Sequence, residues 1–153
     1  MRILLLLLLA PLLGAAATVD DEQILKTIND MFAAMTAHST EGVLSAMTAE
    51  ARATAVRGDK VSSFGREELA KAVTARKNAI LERIWNPKIL VRGGIATVWA
   101  EYDFHIDGKF SHCGIDAFSL LKTEAGWKIS NLQWTAETTG CAPSPLGPPP
   151  AAH

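Results

Sequence analysis

Hydrophobic positions along this chain follow two different periods, and the change near Arg83 divides it into a helical part and a stranded part. Ile24, Ile28, Met31, Phe32 and Met35 recur at spacings of three and four, the signature of one buried stripe on an amphipathic helix. Asp20 and Gln23 make a capping-box pattern at its start, Glu22 suits the positive end of the helix dipole, and His38 lies at the other end. Ser39-Thr40-Glu41 restarts a short helix bearing Val43, Leu44 and Met47. Ala51 to Arg57 reads as a strand, and Gly58-Asp59 as a turn into Val61. Gly65 opens a third helix, with Glu67 and Glu68 in its first turn and Leu69, Val73 and Ile80 as its stripe. Arg76 interrupts that stripe, either as a snorkelling surface side chain or as a cation aimed into a cavity.

From Arg83 onward the period is two. Ile84 to Arg92 reads as a strand in which Pro87 predicts an edge position or a bulge. Gly93-Gly94 and Asp107-Gly108 are two-residue hairpin signals, and Thr123 to Gly126 forms the last turn. The stretch from Ile95 to Thr135 is therefore three long antiparallel strands. Helices segregated from strands predict an α+β domain in which a curved, mostly antiparallel sheet wraps around about three N-terminal helices.

The Asp107-Gly108 turn sets a register in which Ile106 faces Lys109. Carried along both strands, it puts Asp103 opposite His112 and Trp99 opposite Asp116. Alternation then divides the hairpin into two faces. One carries Val98, Ala100, Tyr102, Phe104, Cys113, Ile115, Ala117 and Leu121; the other carries Trp99, Glu101, Asp103, His105, His112, Asp116, Phe118 and Leu120. With Lys122 facing Trp127 across the last turn, Gln133 falls opposite Asp116 and Thr135 opposite Gly114. The first face is the more apolar, and binary patterning alone would make it the core. It could equally form a contact with another chain, leaving the mixed face to line a cavity.

Other features bear on compartment. Behind Arg2, Ile3 to Leu13 is apolar, and Ala15-Ala16-Ala17 offers a cleavage site: this is the pattern of a secretory signal peptide over residues 1–17, too short for a transmembrane span of about 20 residues. The protein is expected to be secreted or periplasmic after cleavage near Ala17, without a membrane anchor. Residues 18–136 make one domain, and 137–153 a proline-rich tail unsuited to helix or central strand. Acids and bases are balanced, with a formal net charge of -1, so the sequence carries no electrostatic footprint for nucleic acid. The two cysteines, Cys113 and Cys141, are bound for an oxidising compartment, and a tail folded back would bring them together. A disulfide is the expectation, worth about 3–4 kcal/mol by loop closure; two unrelated thiols are the alternative.

The candidate chemistry gathers on the mixed face. Asp103 and His112 would form either an acid–base pair or a solvated cross-strand ion pair. Asp116, set near Trp99, would be dehydrated enough to raise its pKa. No HxH or HExxH spacing supports a metal site, no G-x-S-x-G motif supports a nucleophile, and no phosphate loop or dinucleotide fingerprint is present, so no metal or cofactor is expected.

The order of elements, together with GIATVWAEYDFHIDGKFSHCGIDAFSLLKTEAGWKI and the final strand ending in Trp134-Thr135, resembles the nuclear transport factor 2-like superfamily, within its SnoaL-like and lumazine-binding relatives. The resemblance implies an α+β cone enclosing a pocket, often in homodimers. It implies that His112, Gly114, Asp116, Phe118 and Leu120 point into the cavity, joined by Gln133 and Thr135 from the last strand, where relatives often have histidine and serine. The glutamine departs from that pattern. The expected ligand-binding set is Trp99, Asp103, His112, Asp116, Phe118 and Gln133, for a small apolar or aromatic ligand. Members of the superfamily include isomerases and dehydratases as well as binding and assembly modules. The leading expectation is an exported small-molecule-binding domain. The alternatives are a small isomerase or dehydratase with Asp116, His112 and Asp103 as catalytic candidates, and a dimeric interaction module with a filled pocket.

Overall fold

The structure is a computed structural model that describes residues 18–150; the expected signal peptide lies outside the described residues. Helix α1 spans Val19–Thr36 and α2 Thr40–Ser45, followed by β1 (Met47–Arg57), β2 (Lys60–Gly65) and α3 (Arg66–Thr74). Four long strands complete the domain: β3 (Ile80–Arg92), β4 (Ile95–Ile106), β5 (Lys109–Thr123) and β6 (Gly126–Thr135). They form one curved, unclosed sheet in the order β2-β1-β6-β5-β4-β3, antiparallel except where β1 runs parallel to β6. This is the expected α+β arrangement.

The expected stripe of α1 is its buried face: Ile24, Ile28, Met31, Phe32 and Met35 are all buried. Its cap lies earlier than the Asp20–Gln23 pattern suggested. Thr18 is the N-cap, its side chain accepting from the Asp21 amide while the Asp21 carboxylate accepts from the Thr18 amide at 2.8 Å. Asp20 is engaged elsewhere: it accepts from Lys122 Nζ at 2.7 Å and Trp127 Nε1 at 3.1 Å, which ties the start of α1 to the last hairpin. Ile80 does not continue the stripe of α3. That helix ends at Thr74, and Ile80 opens β3, buried in the core. The chain before β3 is held by the β4–β5 turn, where the Asp107 carboxylate accepts from Asn78 Nδ2 at 2.6 Å and from the Ala79 amide at 3.0 Å.

The hairpin turns pair as expected, with Arg92 opposite Ile95, Ile106 opposite Lys109 and Lys122 opposite Trp127. Pro87 sits both at the sheet edge and at a register shift between Trp85 and Lys88. Two further irregularities overturn the two-face scheme. On β5 the pairing passes from His105–Phe110 to Phe104–His112, leaving Ser111 as an extra residue. On β6 it passes from Leu120–Ile129 to Ser119–Asn131, leaving Ser130 extra. One inserted residue reverses the parity of everything beyond it. Asp103 therefore lies opposite Cys113 rather than His112, and Asp116 lies between Ala100 and Trp134 rather than between Trp99 and Gln133.

The inner face of the sheet thus combines the apolar half of β4 (Val98, Ala100, Tyr102, Phe104) with the mixed half of β5 (His112, Gly114, Asp116, Phe118, Leu120). Neither anticipated face is the core by itself. On the outer face the tail beyond Thr135 folds back across the sheet. Glu137 pairs with Cys113 by two backbone hydrogen bonds of 2.9 Å, and a disulfide joins Cys113 to Cys141 with their Cα atoms 6.0 Å apart. Arg83 donates to the Gly147 carbonyl at 3.1 Å, so the proline-rich segment straps the outer face without entering the sheet.

Candidate functional site

Between the inner face and the helices lies a cavity of about 340 Å³. Its apolar wall comes from Met35 at the end of α1, Leu69 and Val73 on α3, Phe104 on β4, and Leu132 and Trp134 on β6. Glu82, His112 and Asp116 bring polar groups into it from β3 and β5, and Arg57 at the end of β1 and Arg76 in the segment after α3 add two cations. Ala136 and Thr138, at the start of the disulfide-held tail, complete the lining.

Glycine makes the polar row possible. A Cβ at Gly114 would overlap the Thr135 carbonyl oxygen and Oγ1. In that space the end of β6 approaches closely enough for Thr135 Oγ1 to accept from the Ile115 amide at 3.0 Å. Tyr102, paired with Gly114 across the β4–β5 ladder, donates its hydroxyl to the Thr135 carbonyl at 2.6 Å. Burial and the neighbouring Glu82 and Asp116 carboxyls keep that phenol protonated far above neutrality.

Asp116 is 1% exposed, and its Oδ2 has no hydrogen-bond partner among the described residues. Burial pushes its pKa well above the ordinary carboxylate range, and the adjacent Glu82 carboxyl reinforces the shift. Glu82 keeps partial solvent access through the cavity, yet protein surrounds its carboxyl. That dehydration raises it to about 7, against the hydrogen bond with Asp116 that favours its ionised form. The two carboxyls share one dehydrated site, and burial favours the protonated form of both. His112 moves the opposite way. Burial lowers its pKa, and the positive charges of Arg57 and Arg76 lower it further, so the neutral imidazole is favoured. The ring stacks on Phe104 with centroids 4.9 Å apart, and its Nδ1 lies 3.0 Å from the Ser111 hydroxyl.

Of the residues expected to form the site, His112 and Asp116 line the cavity. Phe118 is on the same face but deeper, packed edge-on against Phe32 in the core with centroids 6.2 Å apart. The β5 bulge puts Asp103 and Trp99 on the outer face, and the β6 bulge does the same to Gln133. Trp99 is half exposed, and Gln133 is exposed. Asp103 is buried beneath the tail. Dehydration there works against its ionisation, but hydrogen bonds from Arg83 and His105 outweigh it and hold its pKa below the usual value. Arg76 takes the cavity alternative. Glu82 and Arg57 were not anticipated. For Glu82 a signal existed, since Ile80, Glu82 and Ile84 alternate, and a carboxylate between two apolar residues of one strand face marks a polar group turned inward. It was hidden because the strand was expected to begin at Ile84. Among the described residues, no group of three or more histidine, cysteine, aspartate or glutamate side chains could hold a metal ion.

Three helices packed into a curved mixed sheet, with a cavity between them, give this domain a nuclear transport factor 2-like fold. Solved structures agree in fold. A nuclear transport factor 2-like protein with a cystatin-like fold from Novosphingobium aromaticivorans superposes with a TM-score of 0.63 at 17% identity, covering 80% of this chain and 84% of that one. A protein described as a "putative dehydratase" of the same family from Streptomyces avermitilis gives 0.62 at 21%, covering 75% and 94%. Another described as a "putative scytalone dehydratase", from Novosphingobium aromaticivorans, gives 0.65 at 12%, covering 86% and 96%. No match emerged among functionally curated proteins. Residues 19–135 match the family described as "Putative lumazine-binding", and the chain belongs to that family.

Proposed function

We propose that this protein is an exported small-molecule-binding domain that takes its ligand into the cavity between α1, α3 and the inner face of the sheet. The observation that carries the reading is the buried Asp116 carboxyl, whose Oδ2 has no partner among the described residues and which lines a cavity of about 340 Å³ walled by apolar side chains. Ligand sites have this character: concave, mostly apolar, with a few convergent polar groups. The open cavity also separates this reading from an interaction module with a filled cone. Export is supported by the leader-like segment ahead of the domain and by the Cys113–Cys141 disulfide, which persists in oxidising compartments.

A second reading is a small isomerase or dehydratase. It is favoured by Glu82, a carboxyl raised to about 7 beside Asp116, also raised by burial, and in the same cavity as His112, whose neutral form is favoured. A carboxyl pair that exchanges a proton near working pH suits proton transfer next to a carbonyl or loss of water.

Native mass spectrometry of the mature protein purified from its own host tests the binding reading. A small molecule that co-purifies and leaves on denaturation is the expected result. Val73→Trp, which fills the cavity, should abolish the adduct. A protein that carries no adduct and whose Tm no apolar small molecule raises would overturn the reading.

A further inference from the structure

The cavity is electrostatically lopsided. Arg57 and Arg76 both line it, and among the described residues neither forms a salt bridge or a side-chain hydrogen bond with another residue. The carboxyls that share the cavity form no salt bridge with them among the described residues. Asp116 and Glu82 are engaged with each other, and dehydration favours their protonated forms. His112 feels both guanidinium groups and stays uncharged. The lining therefore combines two solvated cations with planar donor arrays and a buried carboxyl pair that can both give and accept a hydrogen bond. Met35, Leu69, Val73 and Trp134 supply apolar wall in the same cavity.

We infer that the ligand is an amphipathic organic acid: a ring-sized apolar body whose carboxylate is held at the cavity mouth by Arg57 and Arg76, and whose hydroxyl or carbonyl meets Asp116 and Glu82. A guanidinium matches a carboxylate through two parallel N–H donors, which fixes direction as well as charge. An unpaired Asp116 Oδ2 is costly to leave without a partner, and a ligand hydroxyl supplies one. An apolar body that packs on these side chains removes water from the polar groups around it and strengthens each contact. This inference rests on the small-molecule-binding reading and names the class of molecule for the same site.

Three naphthalene probes of similar bulk test it: 6-hydroxy-2-naphthoic acid, 2-naphthoic acid and 2-naphthol, each titrated against the full mature chain by isothermal calorimetry. The expected order is hydroxy acid tightest, then the plain acid, then the neutral alcohol. An Arg57→Gln/Arg76→Gln double variant should weaken both acids about tenfold or more and leave 2-naphthol within about threefold. Both arginines are solvent-exposed and unpaired among the described residues, so the variant should fold, and its melting curve checks that. Asp116→Val, which removes both oxygens, should erase the advantage of the hydroxy acid over the plain acid, and its melting curve checks that it folds. If 2-naphthol binds as tightly as the acids and the double variant changes nothing, the charge assignment is wrong while the binding reading stands. If no probe binds, this inference fails; the binding reading falls with it only when the host-purified protein also carries no molecule.

Discussion

Glu82 allows the sharpest test of the site, because its unusual acidity makes stability depend on pH in an uncommon direction. In the unfolded chain it titrates near 4.5; in the fold, dehydration raises it to about 7. Between those values the native state holds more protons than the unfolded one, so unfolding free energy falls as pH rises. At about 1.4 kcal/mol for each pH unit that separates the two values, the loss approaches about 3 kcal/mol. Asp116, also raised, acts in the same sense. His112 acts in the opposite one: its lowered pKa gives stability that is present above its ordinary value and lost as pH falls. Comparing the wild type with Glu82→Gln removes the His112 background and takes out, together with Glu82, the part of the Asp116 shift that Glu82 causes, which has the same sign. Urea unfolding followed by tryptophan fluorescence at about pH 5 and about pH 8 should show the variant gaining on the wild type by up to about 3 kcal/mol across the interval. Two parallel profiles, with the difference constant to within about 0.5 kcal/mol, would refute a buried carboxyl pair at this position.

Other consequences follow from single contacts. Replacing Cys113 and Cys141 by serine opens a link across a sequence separation of 28 and should cost about 3–4 kcal/mol, with residues beyond Ala136 becoming sensitive to proteinase K; an intact mass unchanged on reduction would show that the link does not form. Gly114→Ala drives a methyl group into the Thr135 carbonyl and should lower stability by about 1–3 kcal/mol, read as a fall in Tm, and an unchanged Tm would contradict the close approach of β6. Asp103→Asn leaves Arg83 and His105 without their anion and should cost about 3 kcal/mol in chemical denaturation, while probe binding in the cavity stays as it was.

Much of the frame was legible in the chain. The 3.6-residue stripe of α1 and the turns at Gly93-Gly94 and Asp107-Gly108 are local signals, and local signals survive folding. The site was legible only in part. His112 and Asp116 could be picked out as polar residues on one face of β5, but their neighbours could not, because Ser111 and Ser130 carry no mark that distinguishes a bulged serine from a paired one. Each inserted residue exchanges inside for outside over the rest of its strand. That is how Trp99, Asp103 and Gln133 came to sit across the sheet from the residues they were expected to join.

By itself, then, the sequence determined the segregation of helices from strands, the hairpin turns and the residue types available for chemistry, since each depends on backbone preference and periodicity over a few neighbours. Only the tertiary structure decided which side chains meet. Gly114 lets Thr135 close over β5, the bulges turn the apolar half of β4 and the polar half of β5 toward the same cavity, and dehydration there brings Glu82 and Asp116 together as a proton-holding pair. These are effects of packing between strands distant in the chain, and no window along one strand contains them.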